Sequence, residues 1–586
     1  MFLRKIIESG FYSKIAFFIS FLAIVGMITE LGYFLNDATI KVIQILYAVV
    51  FLTGMVTLGL YMFDNRIRAR NKVFYIDLFI FSYITILFLG SIGLYSISSV
   101  LGSYNWLYVG LIFQFIRDFS NFKINIKRSA INPAQLFVLS FIVIILMGAF
   151  FLMLPKATTD GNISFMNALF TSTSAVCVTG LAVVDTGTYF TDFGLVIIGV
   201  LIQIGGLGIM TFASYLSYFF TGTTSFENQL AMSDINNVDR LGEVFRTLKQ
   251  VLLITAIIEF IGAVMIYFTI NVQLIPKMGD RIFFAGFHSV SAFCNAGFSS
   301  LKNSLWETGW NYNYNLHLII AFLILFGGLG FPILVNILQY IKYNVINRFF
   351  KIWKQEKHIH LPWMVNLNSR IVIIVTVALT VFGSLGYFIF EYNTTLKDHG
   401  LYGKIVTSFF GSVTPRTAGY NTVDMSMLTV PTILITIFLM WVGASPGSTG
   451  GGIKTSTFAV ATLNILSLVR GKTRIEINRR EISDLTVRRA FAAIALSLLI
   501  IGFGVLAITY FEPKLDLTKV TFECFSAFST VGLSLGITGN LLSESKMVLI
   551  LLMFIGRVSM LTLLIAFIRK EKYKNYRYPS EDVIVG

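Results

Sequence analysis

The sequence predicts an all-α integral membrane protein: four tandem helix–pore loop–helix units around one pore, plus an N-terminal four-helix module. Three observations lead there. Only 13% of the 586 residues are charged and the mean hydropathy is +0.76, whereas an ordinary soluble domain carries about 25% charged residues. Apolar stretches of bilayer-crossing length recur along the chain, separated by short basic segments. Between pairs of those stretches, a short apolar run ending in glycine returns four times.

The first stretches run from Ile15 to Tyr33, Ile40 to Phe63 and Val73 to Ile97, with a fourth over Trp106 to Ile116. The first lacks a small-residue cleavage site and further spans follow at once, so it is expected to stay in the protein. Lys and Arg resist translocation and mark the cytoplasmic side. Arg4 and Lys5, then Arg66 to Lys72, then Arg117 to Arg128 return the chain to that side after each pair of spans. This module occupies residues 1–130. Its fourth span holds no arginine before Arg117, whereas a voltage sensor needs several along one helix, so a structural or docking role fits better.

From Asn132 each unit reads as a long apolar helix, an outer segment with a short apolar run, and a second long helix. The first helices are expected over Ala134–Leu154, Val251–Ile270, Arg370–Phe390 and Ala490–Tyr510. The second are expected over Phe193–Phe220, Leu316–Ile341, Thr432–Leu468 and Met547–Ile568. The units divide as 131–222, 223–346 with its preceding cytoplasmic linker, 347–468 and 469–570, with a tail over 571–586. Basic linkers such as Lys342 to Lys357 and Arg470 to Arg489 keep both ends of each unit, and both chain termini, cytoplasmic. The net charge of +15 belongs to this orientation rather than to a nucleic-acid face.

The four short runs align on one glycine: Phe170 to Leu181, Phe287 to Phe298, Phe409 to Tyr420 and Phe522 to Leu533. Each has phenylalanine ten places before its reference glycine. Irregular backbone at membrane depth survives only when covered by protein or facing a watery cavity, so these runs are expected to surround a pore. A potassium filter replaces the hydration shell with carbonyl oxygens, and glycine permits the necessary backbone turn. The candidate filter residues are Val178, Thr179 and Gly180; Asn295, Ala296 and Gly297; Thr417, Ala418 and Gly419; and Thr530, Val531 and Gly532, with potassium held by their carbonyls. Glycines serving only helix packing would need no common phenylalanine register.

QIGGLGIM (Gln203 to Met210) and LFGGLGFP (Leu325 to Pro332) sit at matching places in two second helices, a sign of duplication. The third is interrupted by Gly443 to Lys454, and no continuous helix is expected through Pro446 and its glycines. The expected loop, with Gly447, Ser448, Thr449, Gly450, Gly451, Gly452 and Lys454, lies below the filter as a gate; a simple kink is the alternative. Ile453 stands between Gly452 and Lys454, which breaks the phosphate-loop pattern. Arg557 in the last span either repels cations, bonds to loop carbonyls, or snorkels to the inner interface.

Glu259 reads as a coupling-ion site or a structural acid, with structure favoured. Glu523 is expected in the N-terminal half of its short helix, favoured by the dipole, and His288 as a satisfied residue of its own. The three cysteines, Cys177, Cys294 and Cys524, are too dispersed for a disulfide framework or zinc site. A membrane enzyme requires paired acids, a nucleophile with its base or a metal cluster, and none stands out. Units that all run in one direction also disfavour a transporter built on inverted repeats.

From about Asn132 to Arg569 these residues resemble the Trk/Ktr/HKT superfamily of potassium transporters, most closely its Ktr-type membrane subunit. VCVTGL (Val176 to Leu181), TPRTAGYN (Thr414 to Asn421) and GASPGSTGGGIKT (Gly443 to Thr455) carry the likeness. It implies potassium uptake across a bacterial inner membrane, a homodimer with one ion path per chain, and a separate cytoplasmic ring of nucleotide-binding regulatory subunits. It also implies an intramembrane gate at Gly443 to Lys454. No covalent cofactor is expected; potassium is the substrate, sodium a candidate activator, and lipid the surrounding partner. A sodium-permeable or sodium-coupled transporter of the same fold is the alternative, although Gly180 fills the place where serine accompanies sodium permeation. Ser559-Met560 departs from an expected Gly-Pro, and residues 1–130 fall outside the likeness.

Overall fold

The computed structural model describes residues 11–63, 78–87, 104–121, 133–208, 244–352, 366–477, 480–559 and 563–564. The Arg66 to Lys72 cluster, the linker before the second unit and the tail lie outside them. Five described helices are long and apolar enough to cross a membrane, or six if one bent pair counts as a span.

At the N-terminal end, α1 (Phe11–Gly32), α2 (Asp37–Phe63), α3 (Leu78–Leu87) and α4 (Tyr104–Asn121) share one apolar core that includes Ala23, Phe51, Ile84 and Leu111. A helix in lipid closes its own backbone hydrogen bonds, so the outward faces of α1 and α2 can remain apolar; Phe18, Leu22 and Val42 are exposed there.

The rest repeats long helix, short helix, long helix four times. The first group is α5 (Pro133–Leu152), α6 (Phe165–Val176) and α7 (Asp192–Leu207). The second is α8 (Val244–Thr269), α9 (Met278–Phe293), α10 (Tyr314–Leu329) and its continuation α11 (Phe331–Ile352). The third is α12 (Leu367–Glu391), α13 (Leu401–Val413), α14 (Val430–Trp441) and α15 (Thr455–Val469). A two-stranded hairpin, β1 (Glu476–Ile477) and β2 (Arg480–Glu481), leads to α16 (Asp484–Phe511), α17 (Leu517–Phe528) and α18 (Ser543–Val558).

The second helices differ from expectation. Leu316–Ile341 is not one straight span: α10 and α11 meet at 105°, because Gly330 takes φ +87° and Pro332 opens the next helix. Nor is the third helix the only interrupted one. α7 ends at Gly208 with φ +84° and α18 at Ser559 with φ +73°, so a left-handed helix end recurs at this place, and among the described residues the inserted loop is that of the third group. The remainder of the expected Phe193–Phe220 helix lies outside the described residues.

Candidate functional site: a ring of four glycine segments

Each short helix ends where its reference segment begins, and the segments take an unusual backbone. Val178, Asn295, Thr417 and Thr530 have φ of +57°, +61°, +74° and +51°. The four reference glycines are also positive, at +92°, +70°, +79° and +94°, while the residue between them is not. Left-handed residues on either side of one with ordinary φ turn successive carbonyls toward one side. The amides face the other way. Those of Thr179, Ala296 and Val531 donate to Ser174, Ser291 and Ser526 carbonyls at 2.7, 2.7 and 2.9 Å, and Ala418 donates to Thr414 at 3.0 Å. Ser174 and Ser526 hydroxyls accept from the Gly180 and Gly532 amides at 3.0 and 3.1 Å. Among the described residues no hydrogen bond reaches the carbonyls of Thr179, Ala296, Ala418 or Val531.

The segments close into a ring. A Cβ added to Gly180 would strike the Ala296 carbonyl; on Gly297, Ala418; on Gly419, Val531; and on Gly532, Thr179. The order returns to its start, and at each of the four positions a Cβ fits only if the facing carbonyl gives way. At the outer end, Ser291 Oγ and Tyr420 Oη both donate to the Phe298 carbonyl, at 2.8 and 3.0 Å, and Thr414 Oγ1 donates to the Tyr420 carbonyl at 2.5 Å. At this end lies a 320 Å³ cavity that includes Asp185, Lys302 and Asp424.

At the opposite end Val442–Lys454 separates α14 from α15 and lies directly against the ring. Gly451 N donates to Thr530 Oγ1 at 2.9 Å, and a Cβ on Gly450 would collide with Thr417. Ser445 N reaches the Gly328 carbonyl and Phe331 N reaches that of Gly447, both at 3.0 Å, tying the loop to the α10–α11 bend. Two cations bind the loop's own carbonyls. Lys454 Nζ donates to Gly450 O at 2.6 Å, while Arg557 bonds Thr449 O and reaches Gly205 O at 2.5 Å. Arg557 thus points at loop carbonyls rather than at the inner interface.

Glu259 and Glu523 are both hydrogen-bonded. Glu259 accepts from Gln203 Nε2 at 3.1 Å. Glu523 lies past the middle of α17, not in its N-terminal half, and accepts from the Ser534 hydroxyl and, at 3.1 Å, from Thr538. Asn295, with its amide nitrogen turned to the Ala292 and Ile324 carbonyls, accepts from Thr417 Oγ1 at 3.2 Å. Sequence reasoning missed Ser291, Thr414 and Tyr420 as braces of the outer end, although all lie within or beside the aligned runs.

The family model for TrkH, a cation transport protein, matches residues 106–578, beginning inside the module expected to lie outside the likeness. The chain is 37% identical over 465 residues to the Ktr system potassium uptake protein B of Bacillus subtilis, covering 79% of this chain and 98% of that protein. It is 35% identical over 468 residues to the potassium/sodium uptake protein NtpJ of Enterococcus hirae, covering 78% and 98%. The crystal structure of the potassium transporter TrkH from Vibrio parahaemolyticus shares the fold at a TM-score of 0.60 and 19% identity, covering 90% of this chain and 98% of that one. That share exceeds what residues 131–586 supply alone, so the common fold reaches into the N-terminal module. These relatives are transporters, not enzymes. The chain belongs to the TrkH family of cation transport proteins.

Proposed function

We infer that this chain takes up potassium through the glycine ring, with the ring as selectivity filter and Gly447–Gly452 as the gate beneath it. One observation carries the reading: four segments close a ring whose amides are bonded outward while their carbonyls have no partner among the described residues. Such carbonyls replace a potassium ion's hydration shell, and the short helices aim their negative C-terminal ends at the same place. The filter comprises Val178–Gly180, Asn295–Gly297, Thr417–Gly419 and Thr530–Gly532. Lys454 and Arg557 hold the gate loop through its carbonyls. The chain works in a cell membrane as a homodimer, and its basic cytoplasmic segments dock a nucleotide-binding regulatory ring; membership of a Ktr system by name in one relative supports a partner.

Sodium is a second permeant ion in one relative's name, and Gly180 is where the two readings separate. The first test is potassium-dependent growth of an uptake-deficient bacterium carrying this chain. Gly180→Ser should raise sodium flux relative to potassium in reconstituted vesicles, because Cβ and hydroxyl enter the space of the Ala296 carbonyl. No growth rescue, or an unchanged flux ratio from well-folded Gly180→Ser protein, would overturn the filter reading.

A further inference from the structure

In two of the four segments the residue nine places before the reference glycine reaches forward to the serine two places after it. In the second segment this pair is His288 and Ser299; in the fourth it is Glu523 and Ser534. His288 Nδ1 contacts the Phe284 carbonyl at 2.9 Å, and a carbonyl can only accept, so Nδ1 carries the proton and Nε2 accepts from Ser299 Oγ at 3.0 Å. Glu523 Oε1 likewise accepts from Ser534 Oγ. Each serine completes the same turn: Ser299 Oγ accepts from Leu301 N at 3.0 Å, and Ser534 Oγ from Gly536 N at 2.9 Å. An imidazole and a carboxylate therefore present the same acceptor to the same hydroxyl, and His288 and Glu523 are both wholly buried. The other two segments have no such pair: Thr171 faces Ala182 in register and bonds its own helix at Asn167 O, 2.9 Å, while Phe410 aligns with Asn421. Around the ring, whose order is Gly180, Gly297, Gly419, Gly532, the two buckled segments stand opposite each other.

The geometry points to His288 and Glu523 as paired positioning residues for ion discrimination, each buckling the outer lip of one filter segment to its short helix through a serine hydroxyl. This rests on the filter reading above. Neither residue touches the ion. Without the buckle the segment after the glycine is free to shift, and a ring free to contract accepts the smaller sodium ion. Two opposed buckles hold the ring's width across one diameter; the remaining segments are braced by Thr414 and by the Gly180 amide on Ser174.

The experiment compares sodium and potassium fluxes through full-length protein in vesicles for Glu523→Ala, Glu523→Gln, Ser534→Ala and Thr171→Val, with Gly180→Ser as the filter control. Glu523→Ala and Ser534→Ala should each lower the potassium-to-sodium ratio about fivefold, the equilibrium weight of one hydrogen bond. The double variant should fall well short of the product of the two effects, since both remove the Glu523–Ser534 bond. Glu523→Gln keeps an acceptor oxygen and should recover most of the ratio, and Thr171→Val should leave it unchanged. Should Glu523→Ala misfold, Ser534→Ala, which leaves Thr538 bonded to the carboxylate, carries the test. An unchanged ratio for Ser534→Ala, when Gly180→Ser shifts it, would overturn the buckle and leave the filter standing. If Gly180→Ser is also silent, both readings fall. An equal loss in Thr171→Val would reduce the effect to general helix packing and overturn the buckle as well.

Discussion

Ser559 holds a backbone conformation that its counterparts give to glycine. Gly208 and Gly330 end α7 and α10 at φ +84° and +87°; Ser559 ends α18 at φ +73° and ψ +129°, a region nearly closed to residues with a Cβ. Such a residue stores about 1–3 kcal/mol of strain. Ser559→Gly should therefore raise thermal stability by roughly 1 kcal/mol, somewhat less than the strain released because glycine also loosens the unfolded chain. Unfolding of the purified protein followed by intrinsic fluorescence measures it, and a lowered midpoint would mean that the serine hydroxyl has a compensating partner. The departure from Gly-Pro at this position was visible in the residues. Its dihedral was not, because a positive φ at a residue other than glycine leaves no mark in an apolar pattern.

At the scale of elements, the long helices were legible because each is a continuous apolar run: the expected Val251–Ile270 lies within α8 but for its last residue, and Ala490–Tyr510 falls inside α16. The short helices were legible from their register. The breaks at Gly208 and Gly330 were not, since a glycine pair inside an apolar run reads equally well as close helix packing. Those glycines do both, for Gly205 and Gly327 press on the Val176 and Phe293 carbonyls just before the chain turns. The loop over Val442–Lys454 was legible as a break and, in the structure, is fastened at both faces: to Thr530 and to Arg557. The Arg557 bond is charge-assisted and contributes about 1.5–3 kcal/mol, the neutral Thr530 bond about 0.5–1.5 kcal/mol. Removing Gly447–Gly452 should accordingly raise potassium flux through partner-free vesicles by about tenfold or more, while Arg557→Gln, which keeps one donor, should give a smaller rise. Equal or lower flux from a folded, selective deletion variant would favour a kink with no gating role.

At the scale of the molecule, the question is what α1 to α4 contribute. The relatives cover 79% and 78% of this chain but 98% of their own length, and the family model begins only at residue 106. Among the described residues the N-terminal module joins the first group where Lys156 Nζ donates to Glu30 O at 3.0 Å and lies 5.5 Å from the Phe34 ring, and where Gly32 packs on Leu154. In lipid, helix association gains little from apolar burial because acyl chains are as apolar as the partner helix. The ring's own contacts, from Ser174 and Ser291 to Tyr420 and Thr530, are made wholly within α5 to α18 and their connections. A chain lacking residues 1–103 should therefore still assemble in the membrane and keep its potassium-to-sodium flux ratio within about twofold, a change below the weight of one hydrogen bond. Lys156→Ala in the full chain, which severs the polar tie without removing the module, should leave the ratio unchanged too. A truncated chain that inserts and folds but loses selectivity would show that the module braces the first filter segment through α5 and the Pro155–Ala157 turn, and would make it part of the conducting machinery rather than an addition to it.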